Sequence, residues 1–147
     1  MREIKFRAWD KELKEMFYPS SISWKNKIMW VCGSHGKNKL EYEIEKPRTE
    51  LMQFTGLLDK NGKEIYEGDI VIKKGYIWFD EDEPNYCGTV EWIYSQWQII
   101  AHCINPKKQG ISDGINEGIN DEGIDEGKRS DWEIIGNIYE NPELLTP

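Results

Sequence analysis

Hydrophobic alternation with a period of two runs through this chain in short bursts, and no stretch shows a long helical period. Ile4, Phe6 and Ala8 alternate with Glu3, Lys5 and Arg7. Leu40, Tyr42 and Ile44 alternate with Glu41, Glu43 and Glu45. Successive side chains of a strand point to opposite faces, so this period marks half-buried β-strands. Gly, Asn, Asp and Pro punctuate the bursts, as turns require. Further strands are expected through Met16–Tyr18, Ile22–Trp24, Ile28–Val31, Leu51–Phe54, Ile70–Ile72, Tyr76–Phe79, Gly88–Trp92, Trp97–Ala101 and Trp132–Ile135. Lys25–Lys27 supplies a hairpin turn, and Asp59-Lys60-Asn61-Gly62 a stronger one. Glu64–Glu67 reads as one helical or 3₁₀ turn. Asn141-Pro142 then starts a short C-terminal helical turn, with a capping residue followed by proline at the first helical position. Many short strands with tight turns predict a mainly β fold, a barrel or a sandwich.

Composition narrows the function classes. The 147 residues hold 19 Lys+Arg against 27 Asp+Glu, a formal charge of −8. Six of the acidic residues lie in 110–127, a near-tetrapeptide Gly-Ile repeat without a basic residue. The rest of the chain is therefore near neutral. Four isoleucines among glycines and carboxylates bury little area, so this segment is expected to be a flexible loop between two strands. Its spacing matches neither the EF-hand nor the glycine-rich nonapeptide repeat of calcium-binding proteins. A phosphate backbone requires clustered cations, and the acidic balance disfavours nucleic acid as a partner. No run approaches the length of a membrane span, and the N-terminus lacks a signal peptide's apolar stretch.

Chemistry-bearing motifs are sparse. Cys32, Cys87 and Cys103 are odd in number and widely spaced, which suits a reducing cytoplasm better than a disulfide framework. Cys32, His35, His102 and Cys103 lack the spacing of a zinc site. Cys87 and Cys103 read as small core residues. Asp59-Lys60-Asn61-Gly62 opens like an EF-hand loop, but its glycine stands fourth instead of sixth. Each Gly-Lys pair lacks the rest of a phosphate loop. Paired carboxylates such as Glu67 and Asp69 remain, and Asp69 beside Gly68 is better read as a turn or cap residue. The expectation is no catalytic, cofactor or metal residues. Most of the seven tryptophans suit the core of a small β-barrel, although several flank strands instead of sitting mid-pattern. Trp9 falls on the polar face of its strand and Trp24 flanks another, which makes these two the candidates for partner contact.

Three stretches are similar to the YopX family of small phage and prophage proteins. They are Lys5-Phe6-Arg7-Ala8-Trp9-Asp10, then Gln53-Phe54-Thr55-Gly56-Leu57 continuing through Asp59-Lys60-Asn61-Gly62-Lys63-Glu64-Ile65-Tyr66-Glu67-Gly68-Asp69-Ile70-Val71, and finally Ile135-Gly136-Asn137-Ile138-Tyr139-Glu140-Asn141-Pro142-Glu143-Leu144-Leu145. The resemblance implies a β-rich fold related to SH3-type barrels, with Gly68-Asp69-Ile70-Val71 opening a barrel strand. It also implies a phage or prophage setting in a bacterial cytoplasm, and it brings no catalytic residues. One domain over 1–147 is expected: an N-terminal β-rich portion with hairpins (1–50), an SH3-like barrel (51–109 plus 129–147), and the acidic loop (110–128). The expected role is a non-catalytic protein-interaction module, with an unknown host or phage protein, or a second copy, as partner. The competing reading is a nucleic-acid-binding barrel using Lys5, Arg7, Lys11, Lys14, Lys25 and Lys27 with neighbouring aromatic rings. An enzyme is the least favoured reading.

Overall fold

A computed structural model describes residues 3–32, 39–44, 48–74, 85–101, 116–118 and 130–145. Among them the alternating segments form twelve strands and one 3₁₀ turn. The strands are β1 (Phe6–Asp10), β2 (Glu15–Phe17), β3 (Pro19–Ser23), β4 (Ile28–Cys32), β5 (Lys39–Glu43), β6 (Thr49–Leu58), β7 (Glu64–Tyr66), β8 (Asp69–Lys74), β9 (Asn85–Ile93), β10 (Gln96–Ala101), β11 (Asn116–Gly118) and β12 (Glu133–Asn137). The protein is mainly β, with curled antiparallel sheets that make a half-barrel. The C-terminal turn is 3₁₀, Pro142–Leu145. The sheets run β2-β1-β6-β7, β3-β4-β5 and β11-β10-β9-β8-β12. The chain divides into two compact units, Met1–Phe54 and Thr55–Pro147.

In the first unit, β1 and β2 form a hairpin pairing Ala8 with Phe17 and Asp10 with Glu15. Pairing along β6 then matches Phe6 with Gln53 and Asp10 with Thr49. With neighbours on both edges, β1 is buried from Arg7 to Asp10. Its charged face is therefore not a solvent face, contrary to a half-buried reading: Arg7 is 5% exposed and Ile4, on the expected core face, is 70% exposed. β3 and β4 close over a turn at residues 24–27 with Lys27 at φ +56°. β2 ends at Phe17, Pro19 starts β3, and the register shifts between Pro19 and Ser21. An edge strand with a bulge tolerates a proline that cannot donate to the ladder.

The second unit shows why Glu64–Tyr66 is a strand and not a helical turn. Thr55 Oγ1 donates to the Ile65 carbonyl at 2.8 Å, and Ile65 and Tyr66 are buried. Tertiary pairing with β6 overrides the local turn reading. Within β6, Gly56 takes a φ of +91°, which only glycine adopts freely. The strand pairs with β1 through Thr49–Gln53 and neighbours β7 in the same sheet. The core holds Ile65, Val71, Val90, Trp97, Ile99 and Trp132, with Leu57 and Ile134 packed against it. Backbone bonds from Lys60 N to the Trp132 carbonyl (2.9 Å) and from Ser130 N to the Leu58 carbonyl (2.7 Å) bring the chain before β12 onto the end of β6. Gly88 admits no side chain: a Cβ there would lie 2.5 Å from the Ile100 carbonyl oxygen. The expected strand at Tyr76–Phe79, together with Cys103, His35 and His102, lies outside the described residues. Part of the acidic repeat does pair: Asn116–Gly118 is β11, joined to β10.

The β9–β10 hairpin departs from ordinary turn chemistry. Ile93 pairs with Gln96, which leaves a two-residue loop of Tyr94 (φ +50°) and Ser95 (φ +66°). Two successive left-handed residues define a type I′ turn, which normally takes Asn-Gly. Replacing Tyr94→Asn with Ser95→Gly is expected to stabilise the protein by about 1 kcal/mol and raise the thermal midpoint by about 3 °C. A thermal melt checks this, and an unchanged or lowered midpoint contradicts the turn assignment.

Candidate functional site

Buried carboxylates come first, because a carboxyl shielded from water is where acid–base chemistry would be sought. Asp10, Asp59 and Asp69 are all about fully buried, at 0%, 1% and 1% exposure. Each accepts backbone N–H groups. Asp10 Oδ1 accepts from Glu12 N (2.9 Å) and Leu13 N (3.1 Å), ordering the β1–β2 turn. Its Oδ2 takes Arg48 Nη2 at 2.7 Å and Nε at 2.9 Å. Arg48 also reaches Glu12 through Nη1 at 2.8 Å. Burial pushes the Asp10 pKa up, but the Arg48 guanidinium and the two amides outweigh it and hold the carboxyl below its ordinary value.

Asp59 does the same for the second unit. Oδ1 accepts from Asn61 N and Lys63 N, both at 2.8 Å. Oδ2 accepts from Ile134 N of β12 at 3.3 Å. Burial again raises the pKa, and the amides of Lys63, Ile134 and Asn61 more than offset it, so the net shift is downward. Gly62 at φ +86° completes the turn, and Lys60 pairs with Glu133 at 2.5 Å. Asp69 accepts from Tyr66 N at 2.8 Å, the cap role read from the sequence. Gly68 N donates to the Val90 carbonyl (2.8 Å), and the Gly68 carbonyl accepts from Ile138 N (2.9 Å). Asn137 Oδ1 takes Tyr139 N and Glu140 N, and a Cβ on Gly136 would lie 2.6 Å from Asn141 Oδ1. The recognisable blocks therefore hold the fold. Among the described residues no cluster of three or more His, Cys, Asp or Glu converges as a metal site. Cys87 is free and fully buried, and burial raises its thiol pKa.

Among the exposed large hydrophobic side chains are the rings of Tyr18, Trp24, Trp92 and Tyr94. The structure separates the two candidate tryptophans. Trp9 is 7% exposed, within the buried set of the first unit, so in the single chain it offers a partner little area. Trp24 is 53% exposed and follows β3 in the turn. Its ring meets Phe6 edge to face, with centroids 5.5 Å apart at 68°. Ile4, two residues before Phe6, is also exposed. Phe6 and Trp24 thus form an aromatic pair in which the half-exposed indole rests against the phenyl ring.

The second unit carries a comparable feature that sequence reasoning missed. Trp92, 49% exposed, stacks edge to face on buried Trp97 with centroids 4.8 Å apart. Tyr94 stands at the hairpin tip, 86% exposed, on strained backbone. The signal was available: Tyr-Ser occupies a two-residue loop where Asn-Gly is expected. Cations of the nucleic-acid reading fare differently. Arg7 is buried, Lys5 pairs with Glu3 at 3.1 Å and lies over the Phe54 ring, and Lys11 pairs with Glu50 at 2.5 Å. Lys14, Lys25 and Lys27 remain exposed.

The carboxylates fix the pH dependence of stability. Both Asp10 and Asp59 have folded-state pKa values below the ordinary 3.8. Their stabilisation is present above that value and is lost as pH falls below about 4 toward the folded-state pKa. Asp59→Asn is expected to cost about 3 kcal/mol near neutral pH, because an amide NH₂ must then face a backbone N–H. The variant's loss of stability on acidification should be shallower than the wild type's. Urea unfolding from pH 7 to pH 3 measures both, and parallel pH profiles would contradict the assignment.

Comparison with known proteins follows the same outline. The YopX protein family matches residues 5–146. Protein EF1440 from Enterococcus faecalis, known from its crystal structure, is 24% identical, with a TM-score of 0.55 over 99% of this chain and 100% of that one. That similarity speaks for the fold alone. No curated protein matches the chain. The family match covers the described strands from β1 to the terminal 3₁₀ turn, and this chain belongs to the YopX family.

Proposed function

We propose that the protein is a non-catalytic interaction module that engages a protein partner through its exposed aromatic features. Trp24 carries this reading. It is half exposed, yet its orientation is set by the edge of Phe6, which lowers the entropy lost when a partner covers it. Large rings with a fixed rotamer dominate binding energy at protein interfaces. Trp92, braced on Trp97, offers the same physics in the second unit. The buried aspartates support the reading from the other side, since each is occupied in holding a turn.

Two finer statements belong to the same proposal. The second unit is an SH3-related barrel, with β8 opening at Gly68-Asp69 as in the family resemblance. The setting is a phage or prophage protein in the bacterial host's cytoplasm, where a host protein, a phage protein or a second copy is the partner. Local neutralisation of Lys5 and Lys11 and burial of Arg7 weigh against nucleic acid as that partner.

Purified protein immobilised in host lysate should retain a specific protein. Titrating that protein against wild type, Trp24→Ala and Trp92→Ala measures the contribution of each ring. Trp24→Ala is expected to weaken binding by about tenfold or more, equivalent to about 1.4 kcal/mol, with the thermal midpoint little changed. Failure to retain any partner together with monomeric behaviour, or full affinity in both variants, overturns the proposal. A salt-sensitive gel shift with single-stranded DNA would favour the nucleic-acid reading instead.

A further inference from the structure

Chemistry that partner binding leaves unused lies in the Asp59–Gly62 turn. Asn61-Gly62 is the one Asn-Gly pair in the chain. Glycine has no side chain to shield its backbone nitrogen, so this pair is where an asparagine most easily closes on the next peptide. The Gly62 nitrogen attacks Asn61 Cγ, the new C–N bond closes a five-membered imide, and the Cγ–Nδ2 bond breaks. The proton of the Gly62 nitrogen leaves with Nδ2 as ammonia. Water then opens the imide at either carbonyl, giving aspartate or isoaspartate without oxidation or reduction. Asn61 is exposed, so water reaches it. The folded turn withholds the attack. Gly62 N donates to the Asp59 carbonyl at 2.9 Å, and neither Lys60 nor Asn61 has a positive φ, so the turn is type I, followed by left-handed Gly62 at φ +86°. The third residue of such a turn has ψ of about 0°. That sets Gly62 N beside the nitrogen of Asn61, whereas ring closure needs it beside Cβ. Rotation about ψ must disturb the network on Asp59 Oδ1, which binds Asn61 N and Lys63 N, both at 2.8 Å.

We propose that Asn61 is a covalent modification site, a one-way switch that local opening of the Asp59 turn exposes to deamidation and whose product loosens the joint between that turn and β12. In the native turn Asn61 Nδ2 approaches Asp59 Oδ2 at 3.5 Å and also reaches Glu133, which Lys60 pairs at 2.5 Å. Deamidation replaces this donor by a third carboxylate beside Asp59 and Glu133, and like charges so close raise the free energy of the folded state. The isoaspartate form also routes the main chain through Cβ. One atom is then added between Asp59 O and Gly62 N, and the 2.9 Å bond that closes the turn loses its geometry. Ile134 N of β12 depends on the same Asp59 carboxylate at 3.3 Å, so the disturbance reaches a strand distant in sequence.

The test uses the full chain, aged in mildly alkaline buffer with and without guanidinium chloride, then digested and mapped by mass spectrometry. In denaturant Asn61 should react fastest of the asparagines, and in the folded chain at least about tenfold more slowly, because only the opened turn reacts. Aged molecules modified at Asn61, separated by their extra negative charge, should unfold at lower urea than unaged ones, and Asn61→Asp should reproduce the fall. Asn61→Ala removes the amide and adds no charge, so its midpoint should fall less. If Asn61→Asp does not fold, aged wild type against Asn61→Ala makes the same comparison. Equal rates with and without denaturant, another asparagine reacting first in denaturant, or an aged midpoint no lower than that of Asn61→Ala overturns the proposal.

Discussion

A single buried carboxylate, that of Asp59, joins the parts of the second unit. Taking a charged carboxyl out of water costs several kcal/mol, and the cost is tolerated only where hydrogen bonds replace the lost hydration. Here backbone amides replace it: Asn61 and Lys63 from its own turn and Ile134 from β12, 75 residues away. The charge selects a conformation as well as stabilising one. Any turn between β6 and β7 that fails to present those amides leaves a bare anion in the interior. Any placement of β12 that withdraws Ile134 N does the same. The flanking bonds, Lys60 N to Trp132 O and Ser130 N to Leu58 O, then follow in register. Asp10 repeats the device in the first unit, with Arg48 added, and Asp69 repeats it in miniature across three residues.

This economy explains which parts of the architecture were legible in the residues. Strands with clear alternation or apolar runs, such as Ile28–Val31 and Trp97–Ala101, emerge as β4 and β10 with ends shifted by a residue. The Asp59–Gly62 turn was legible because Asn and Gly tolerate the backbone it needs. β7 was not, since Glu64-Ile65-Tyr66 is too short to show a period and becomes a strand only through its partner β6. β1 misled for a related reason. Its pattern is that of a strand with one wet face, but Arg7 and Trp9 on that face are buried, like Ala8 and Asp10 on the other. Period reports which face a residue occupies, and it cannot report what covers that face.

The candidate surface divides along the same line. Trp9 and Trp24 were indistinguishable as spare aromatics, and tertiary context separates them at 7% and 53% exposure. Trp92 was hidden in the run Val90-Glu91-Trp92, where alternation places it with Val90 on the core face. That placement is right, yet the ring is half exposed because it lies at the end of the sheet beside the hairpin tip. Tyr94 was hidden differently, since only the exact loop length shows that it must take a left-handed backbone.

Stability and the proposed recognition therefore draw on separate residues. The interior carboxylates, the positive-φ glycines at 56, 62 and 68, and the Asn137 cap fix the frame from within. Their geometry leaves little freedom: an amide in place of Asp59 removes an acceptor, a methyl group on Gly88 strikes the Ile100 backbone, and one on Gly136 strikes the Asn141 side chain. The rings of Trp24, Trp92 and Tyr94 stand outside that network, so their substitution changes what the molecule can touch far more than how it folds. Tyr94 argues the point most sharply. A Tyr-Ser pair in a type I′ turn costs stability that Asn-Gly would recover, and nothing within the hairpin requires it. Under the proposed function, Tyr94, 86% exposed on left-handed backbone, adds a third ring to the contact surface.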